Sequence, residues 1–199
     1  VYVLKFIKNK FNKLIIYYII FKNSMIKIYN SSSELPEVKL IDFINIKDNR
    51  GTFLKFFEKE VKNNLNFIVD EVFLSKSKKD VIRGIHLQKN NYDLEKIVIC
   101  TYGNITDLII DLRKESKSYG KYTVVDLHEN SNKAIFIPKG FGHGFKVNSE
   151  YADILYLQSG YYNGDSEIGI NPLSFGYDWK IKSPVISKRD MELPEFDEY

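Results

Sequence analysis

From Val38 onward, apolar and polar positions alternate in short runs at regular spacing, the pattern of strands that bury one face. Strands are predicted over residues 38–41, 43–46, 52–57, 67–75, 81–86, 96–101, 105–112, 122–127, 134–137, 144–147 and 152–158. A turn cluster at residues 47–51 separates the second and third, and Tyr102-Gly103-Asn104 reads as a hairpin turn. One short helix fits residues 58–66. Many short strands with almost no helical periodicity predict an all-β sandwich or barrel. The tail, with Pro184, Arg189, Asp190 and Pro194, is expected to pack across one end.

The first two dozen residues break this pattern. Leu14 to Phe21 is an apolar run among Lys and Asn, well short of the roughly 20 residues a spanning helix requires. No convincing small-residue cleavage site follows it. Residues 1–24 are therefore expected to be a non-native extension from an early start site, or a loosely ordered arm. Residues 25–199 are expected to form a single domain, a length that allows a sizeable core.

Composition narrows the function classes. The 14 Tyr and 14 Phe favour strands. A net charge of +3, with lysines dispersed along the chain, argues against nucleic-acid binding. One cysteine, Cys100, excludes an intrachain disulfide and fits a reducing cytoplasm; its apolar neighbours mark it as a buried structural thiol. No membrane association is expected.

Two of the three histidines sit in Gly-flanked apolar frames, Arg83-Gly84-Ile85-His86 and Gly140-Phe141-Gly142-His143-Gly144. Neutral imidazole is well suited to taking a proton near pH 7, although a core histidine bonded to a carbonyl is an equally good reading of a lone His. The three glycines around His143 imply a constrained turn. Arg83 offers a fork for phosphate or carboxylate. The residue two after His86 is Gln88 rather than a second ligand, and His128 lies in a polar run, so no catalytic metal is expected. Lys96, Asp107 and Asp111 alternate with apolar residues and would require partners or a wet cavity if they face inward. Tyr156 either packs in the core or presents its phenol to that cavity. Neither a Gly-rich phosphate loop nor a Gly-x-Ser-x-Gly elbow is present.

Several segments in order carry a more specific message. They are Asn49-Arg50-Gly51-Thr52-Phe53, the stretch from Ser75 to His86, Gly103 to Arg113, Ser116 to Gly120, Ile137 to Phe145, Tyr161-Tyr162 and Asp178-Trp179. From about Leu40 to Pro194 the chain resembles the dTDP-4-dehydrorhamnose 3,5-epimerases and their nucleotide-sugar relatives. The resemblance implies a cupin-like jelly-roll barrel with a few short helices. It also implies a homodimer with exchanged N-terminal strands and a metal-independent, cofactor-free isomerase serving a surface-polysaccharide sugar. By the same resemblance His86 removes a proton beside the C4 ketone, Asp190 orients it, Tyr156 returns a proton on the opposite face and Lys96 steadies the enolate. Arg50, Phe53, Arg83, Gln88, His143 and Tyr162 are implied to bind the nucleotide-sugar substrate.

There are departures from the family pattern. Glu71-Val72-Phe73 stands where the family reads Gln-Asp-Asn, Lys55 replaces an acidic residue, and the segment before Trp179 lacks Trp-Asn-Asp-Pro. These leave the nucleotide open between dTDP, GDP and CDP, and the inverted carbons open between C3, C5 or both. A GDP-linked 4-keto-6-deoxyheptose epimerase, a 3,4-ketoisomerase and a non-catalytic sugar-binding cupin are the alternatives.

Overall fold

A computed structural model describes residues 26–199; the expectations for residues 1–24 lie outside the described residues. Six strands form one sheet in the order β1 (Lys27–Asn30), β2 (Lys39–Asp42), β10 (Lys133–Ile137), β7 (Glu95–Tyr102), β12 (Tyr151–Ser159) and β5 (Glu71–Lys78). Five form a second sheet, β13 (Glu167–Gly169), β6 (Ile82–Gln88), β11 (Phe141–Val147), β8 (Asn104–Asp111) and β9 (Tyr122–His128). The ladders are antiparallel, as a jelly roll requires. A separate hairpin joins β3 (Asn45–Asp48) to β4 (Gly51–Leu54).

Strand periodicity explains the layers. Val98 and Cys100 of β7, Ile154 and Tyr156 of β12, Ile105 and Ile109 of β8 and Phe141 and Phe145 of β11 share one core between the two sheets. The alternate residues of β7, Ile97 and Ile99, are also buried, beneath Val61 of helix α1 (Lys59–Leu65) and Phe67. On the outer face of the second sheet, Leu87, Leu108 and Ile110 are covered by Ile170 and Trp179 of the C-terminal segment. Both sheets are thus covered on both faces through their centres, which is why Ile97 to Cys100 is continuously apolar rather than alternating.

The structure corrects several boundaries. Tyr102-Gly103-Asn104 is not a hairpin turn: β7 and β8 belong to different sheets, and the chain crosses between them at Gly103. Gly103 has φ +77°, and a Cβ there would strike the Tyr151 carbonyl oxygen, so glycine permits the crossing. Of the three glycines near His143, Gly140 forms the turn that leads into β11, with φ +80°, whereas Gly142 and Gly144 lie in the strand itself. They admit close packing, since a Cβ on Gly144 would come within 2.6 Å of Ile85 Cδ1. Strands β1 and β13 and the helix α2 (Lys188–Met191) carry too few residues for periodicity to reveal them. Among the described residues no helix is long and apolar enough to cross a membrane.

Candidate active site

Between the two sheets lies a cavity of about 310 Å³ whose lining includes Arg83, His86, Gln88, Lys96, His143, Tyr156 and Asp190. Strand phase puts these residues there. Lys96, opposite Gln158 on β12, shares the inward face of β7 with Val98 and Cys100. Tyr156 and Gln158 are two apart on β12 and so share a face.

Arg83 and His86 are three apart, a spacing that a regular strand sends to opposite faces. A β-bulge reconciles them: Phe145 pairs with Arg83 and His143 with His86, so three steps on β6 match two on β11. Gly84 occupies the bulge with φ +107°, and a Cβ there would stand 2.5 Å from the His143 carbonyl oxygen. The Arg-Gly pair in the sequence is therefore the device that turns both side chains to the cavity.

His86 is held from outside its sheet. Its Nε2 lies 2.9 Å from Asp190 Oδ1, while Asp190 Oδ2 accepts the Gly84 N–H at 3.2 Å. Asp190 is placed by α2, whose N-cap Ser187 accepts the Asp190 N–H through its side chain. Burial raises the Asp190 carboxyl, but the His86 hydrogen bond and charge, with the Gly84 and Ser187 bonds, hold it net below the usual range. An ionised Asp190 accepts only, so Nε2 carries the proton and Nδ1 is left with its lone pair.

Tyr156 comes from the facing sheet. It is 7% exposed, stacked on Phe73 with centroids 4.7 Å apart, and edge-on to His143 at 6.1 Å. Burial, and secondarily the Asp107 charge, raise its phenol, which keeps it protonated through neutral pH. Asp107 is fully buried and meets His143 Nε2 at 2.7 Å. Without that partner a carboxylate there would be several kcal/mol unfavourable. Asp111, the other inward carboxylate, is tied by Arg113, Ser116 and Ser118 instead, away from the cavity. Burial lowers the Lys96 ammonium, against an opposing pull from Glu167. Cys100 is buried and its thiol pushed up to about 12, in keeping with an inert structural residue.

Two expected binding residues do not reach this cavity. Arg50 and Phe53 lie on the β3–β4 hairpin, where they line a different surface cleft with Ile46 and Asp48. The Arg50 side chain is 85% exposed and pairs with Asp48 at 2.6 Å. Gln88 does line the cavity, but its amide is committed to loops: Nε2 donates to the Tyr92 carbonyl and Oε1 accepts the Asn163 N–H. Tyr162 stands at the rim, donating to Glu167 Oε2 at 2.7 Å. From there a second, outer cleft continues past Phe73 to Glu71, Val72 and Gln158.

Residue-by-residue reading missed Glu167, Phe73 and Asp107's partnership. Glu167 is on the three-residue strand β13, where nothing local distinguishes it; it accepts from Tyr162 and Arg189 and approaches His86 Nδ1 at 3.8 Å. Among the described residues no three His, Cys, Asp or Glu side chains converge as a cation site.

Comparison with known proteins identifies relatives of the chain. A sequence model of the dTDP-4-dehydrorhamnose 3,5-epimerases matches residues 32–198. The chain is 34% identical over 172 residues to the dTDP-4-dehydrorhamnose 3,5-epimerase of Salmonella typhimurium, covering 82% of this chain and 93% of that one. It is 34% identical over 152 residues to a dTDP-4-dehydrorhamnose 3-epimerase of Streptomyces niveus, covering 73% and 72%. Among solved structures, the Legionella pneumophila dTDP-6-deoxy-D-glucose-3,5-epimerase in complex with dTDP-4-keto-L-rhamnose superposes with TM-score 0.81 at 30% identity, covering 87% of this chain and 94% of that one. Two facing antiparallel sheets, a cavity between them and these matches together establish that the chain belongs to the dTDP-4-dehydrorhamnose 3,5-epimerase family, a family of isomerases.

Proposed function

We propose that this protein is a cytoplasmic epimerase that inverts C3, C5 or both in a nucleotide-linked 4-keto-6-deoxy sugar, of the dTDP-4-dehydro-6-deoxyglucose to dTDP-4-dehydrorhamnose type. The observation that carries this reading is the placement of an oriented imidazole and a protonated phenol on facing sheets across one cavity. Inversion requires a base on one side of the sugar ring and an acid on the other. His86 on β6 and Tyr156 on β12 meet that requirement.

In this reading the sugar lies between them. His86 Nδ1 takes the proton from the carbon beside the C4 ketone, and the electron pair moves onto the ketone oxygen. Such a proton is only weakly acidic, so the oxyanion must be met by fixed donors, a role for Lys96 with His143 and Arg83 nearby. Tyr156 then donates its phenolic proton to the other face of the same carbon. A cavity of about 310 Å³ suits the sugar but not the whole nucleotide. The outer cleft, with the aromatic faces of Phe73 and Tyr162, is the natural path for the diphosphate and base. Gln88 frames the cavity by fixing its loops.

Arg50 and Phe53 fit the same reading if the enzyme is a homodimer. The hairpin exposes Phe53 and Ile46 (58% and 54%) beside Arg50, an unusual display for a solvated turn. Reaching a partner's outer cleft would give those side chains a use. Residues 25–199 would then be the single jelly-roll domain that each protomer contributes.

The test is conversion. The protein is incubated with dTDP- and GDP-linked 4-keto-6-deoxy sugars, and the ring proton couplings are followed by NMR. New couplings for inversion at C3, C5 or both support the reading; binding of these donors with unchanged couplings contradicts it and leaves a non-catalytic sugar-binding barrel.

A further inference from the structure

Each inversion by this mechanism leaves His86 carrying the proton it has taken and Tyr156 without the one it gave. Another abstraction requires the imidazole to be emptied. Asp190 is poorly placed to do this: it is 5% exposed, with one oxygen bound to His86 and the other to the Gly84 N–H. The base itself is only partly exposed and would sit under the sugar.

Glu167 is placed differently. Its Oε1 stands 3.8 Å from His86 Nδ1, on the nitrogen that the Asp190 bond leaves open. Its Oε2 is turned away, accepting the Tyr162 hydroxyl and the Arg189 guanidinium. Those two partners are at the mouth and more than half exposed, so the carboxylate, itself 12% exposed, joins the partly exposed base to groups that meet solvent even when sugar covers the ring. The span to Nδ1 exceeds a hydrogen bond, but one bridging water or a small rotation of the ring closes it.

We propose that Glu167 is the proton relay that empties His86 between abstractions. The proposal rests on the epimerase reading above. In the step, the Nδ1–H bond of the imidazolium breaks and its pair stays on nitrogen. The proton joins Glu167 Oε1, and the carboxylic acid then gives it to water at the mouth, restoring carboxylate and neutral imidazole. Nothing is oxidised or reduced. Arg189 and Tyr162 hold the relay in position; burial raises the Glu167 carboxyl, but their hydrogen bonds outweigh it and favour return to the carboxylate.

A relay has a signature that a structural carboxylate lacks. In D₂O, product receives its new hydrogen from Tyr156 and carries deuterium whatever happens at His86. Substrate recovered before conversion carries deuterium only if His86 exchanged its proton with solvent before handing it back. The quantity to measure, by NMR at C3 and C5, is therefore the ratio of deuterium in recovered substrate to deuterium in product. For Glu167→Gln the ratio is expected to fall by about tenfold, less than the roughly 10²-fold or more that one proton-transferring group contributes to a chemical step, because the partly exposed ring still exchanges slowly with water. For Glu167→Asp, which withdraws the carboxylate from the ring, an intermediate ratio is expected. A Glu167 that merely shapes the mouth would lower exchange and turnover in parallel, and an unchanged ratio in Glu167→Gln overturns the relay. Should that variant fail to fold, the Asp variant decides, with a wild-type ratio again contradicting the proposal. If the wild-type protein puts no deuterium into product on any 4-keto donor, the epimerase reading itself fails, a result distinct from an unchanged ratio.

Discussion

His86 Nε2 and Asp190 Oδ1 are 2.9 Å apart, a contact between residues 104 positions apart in sequence that fixes which imidazole nitrogen can act as a base. Because Asp190 is ionised, it selects the tautomer with the proton on Nε2 and aims the Nδ1 lone pair away from itself. Asp190→Asn keeps the shape but can present its amide N–H, favouring the opposite tautomer. The expected outcome is a fall in kcat of about 10²- to 10⁴-fold with KM changed much less. Steady-state kinetics would check it; a loss confined to KM would mean that Asp190 serves binding alone.

Tyr156 acts after the base in this account. Tyr156→Phe preserves the stacking on Phe73 and removes only the proton donor. Epimerised product should fall by about 10²-fold or more, while solvent deuterium continues to enter recovered substrate through His86. Loss of both together would place Tyr156 in substrate binding or the first abstraction.

Lys96 gives the account a pH dependence. Its ammonium is lowered by burial, so it loses its charge at lower pH than an ordinary lysine, near 10.4. A cation is needed at the enolate, so kcat should decline as pH rises through that lowered value. Lys96→Arg stays charged throughout and should abolish this alkaline limb, even though its geometry lowers the plateau rate. A limb that persists unmoved in Lys96→Arg belongs to another group.

A shared site between two copies predicts complementation. Arg50→Ala and His86→Asn enzymes are each expected to be inactive or strongly impaired. After reassortment, a mixed dimer would hold one pocket with His86 intact and a partner hairpin with Arg50 intact. About a quarter of wild-type activity should return in an equal mixture. No recovery, with mixed dimers confirmed by mass, would confine Arg50 to its own chain.

How much of this was legible in the residues differs by kind of information. Strand alternation located most of the ladders, and inward phase alone explains Lys96, Asp107 and Tyr156. The Gly-flanked histidines marked the site because Gly84 makes the bulge and Gly144 admits the neighbouring strand. What periodicity could not convey was tertiary. Gly103 looks like a hairpin glycine because sheet-crossing and hairpin turns demand the same backbone freedom. The short strand β13 gives Glu167 no pattern to stand out from, and its proximity to His86 depends on β13 pairing with β6. Asp190 emerged only through family resemblance, since a four-residue helix in a tail has no signature linking it to a histidine about a hundred residues earlier.

The most direct measurement is solvent deuterium entering C3 and C5 of a 4-keto-6-deoxy sugar nucleotide, followed by NMR for wild-type and His86→Asn proteins. The account predicts deuterium at one or both carbons with wild type, and loss of that exchange by at least about 10²-fold with His86→Asn while the nucleotide sugar still binds. Undiminished exchange in His86→Asn would contradict it, because the proton would then be leaving to some other base than the imidazole held by Asp190.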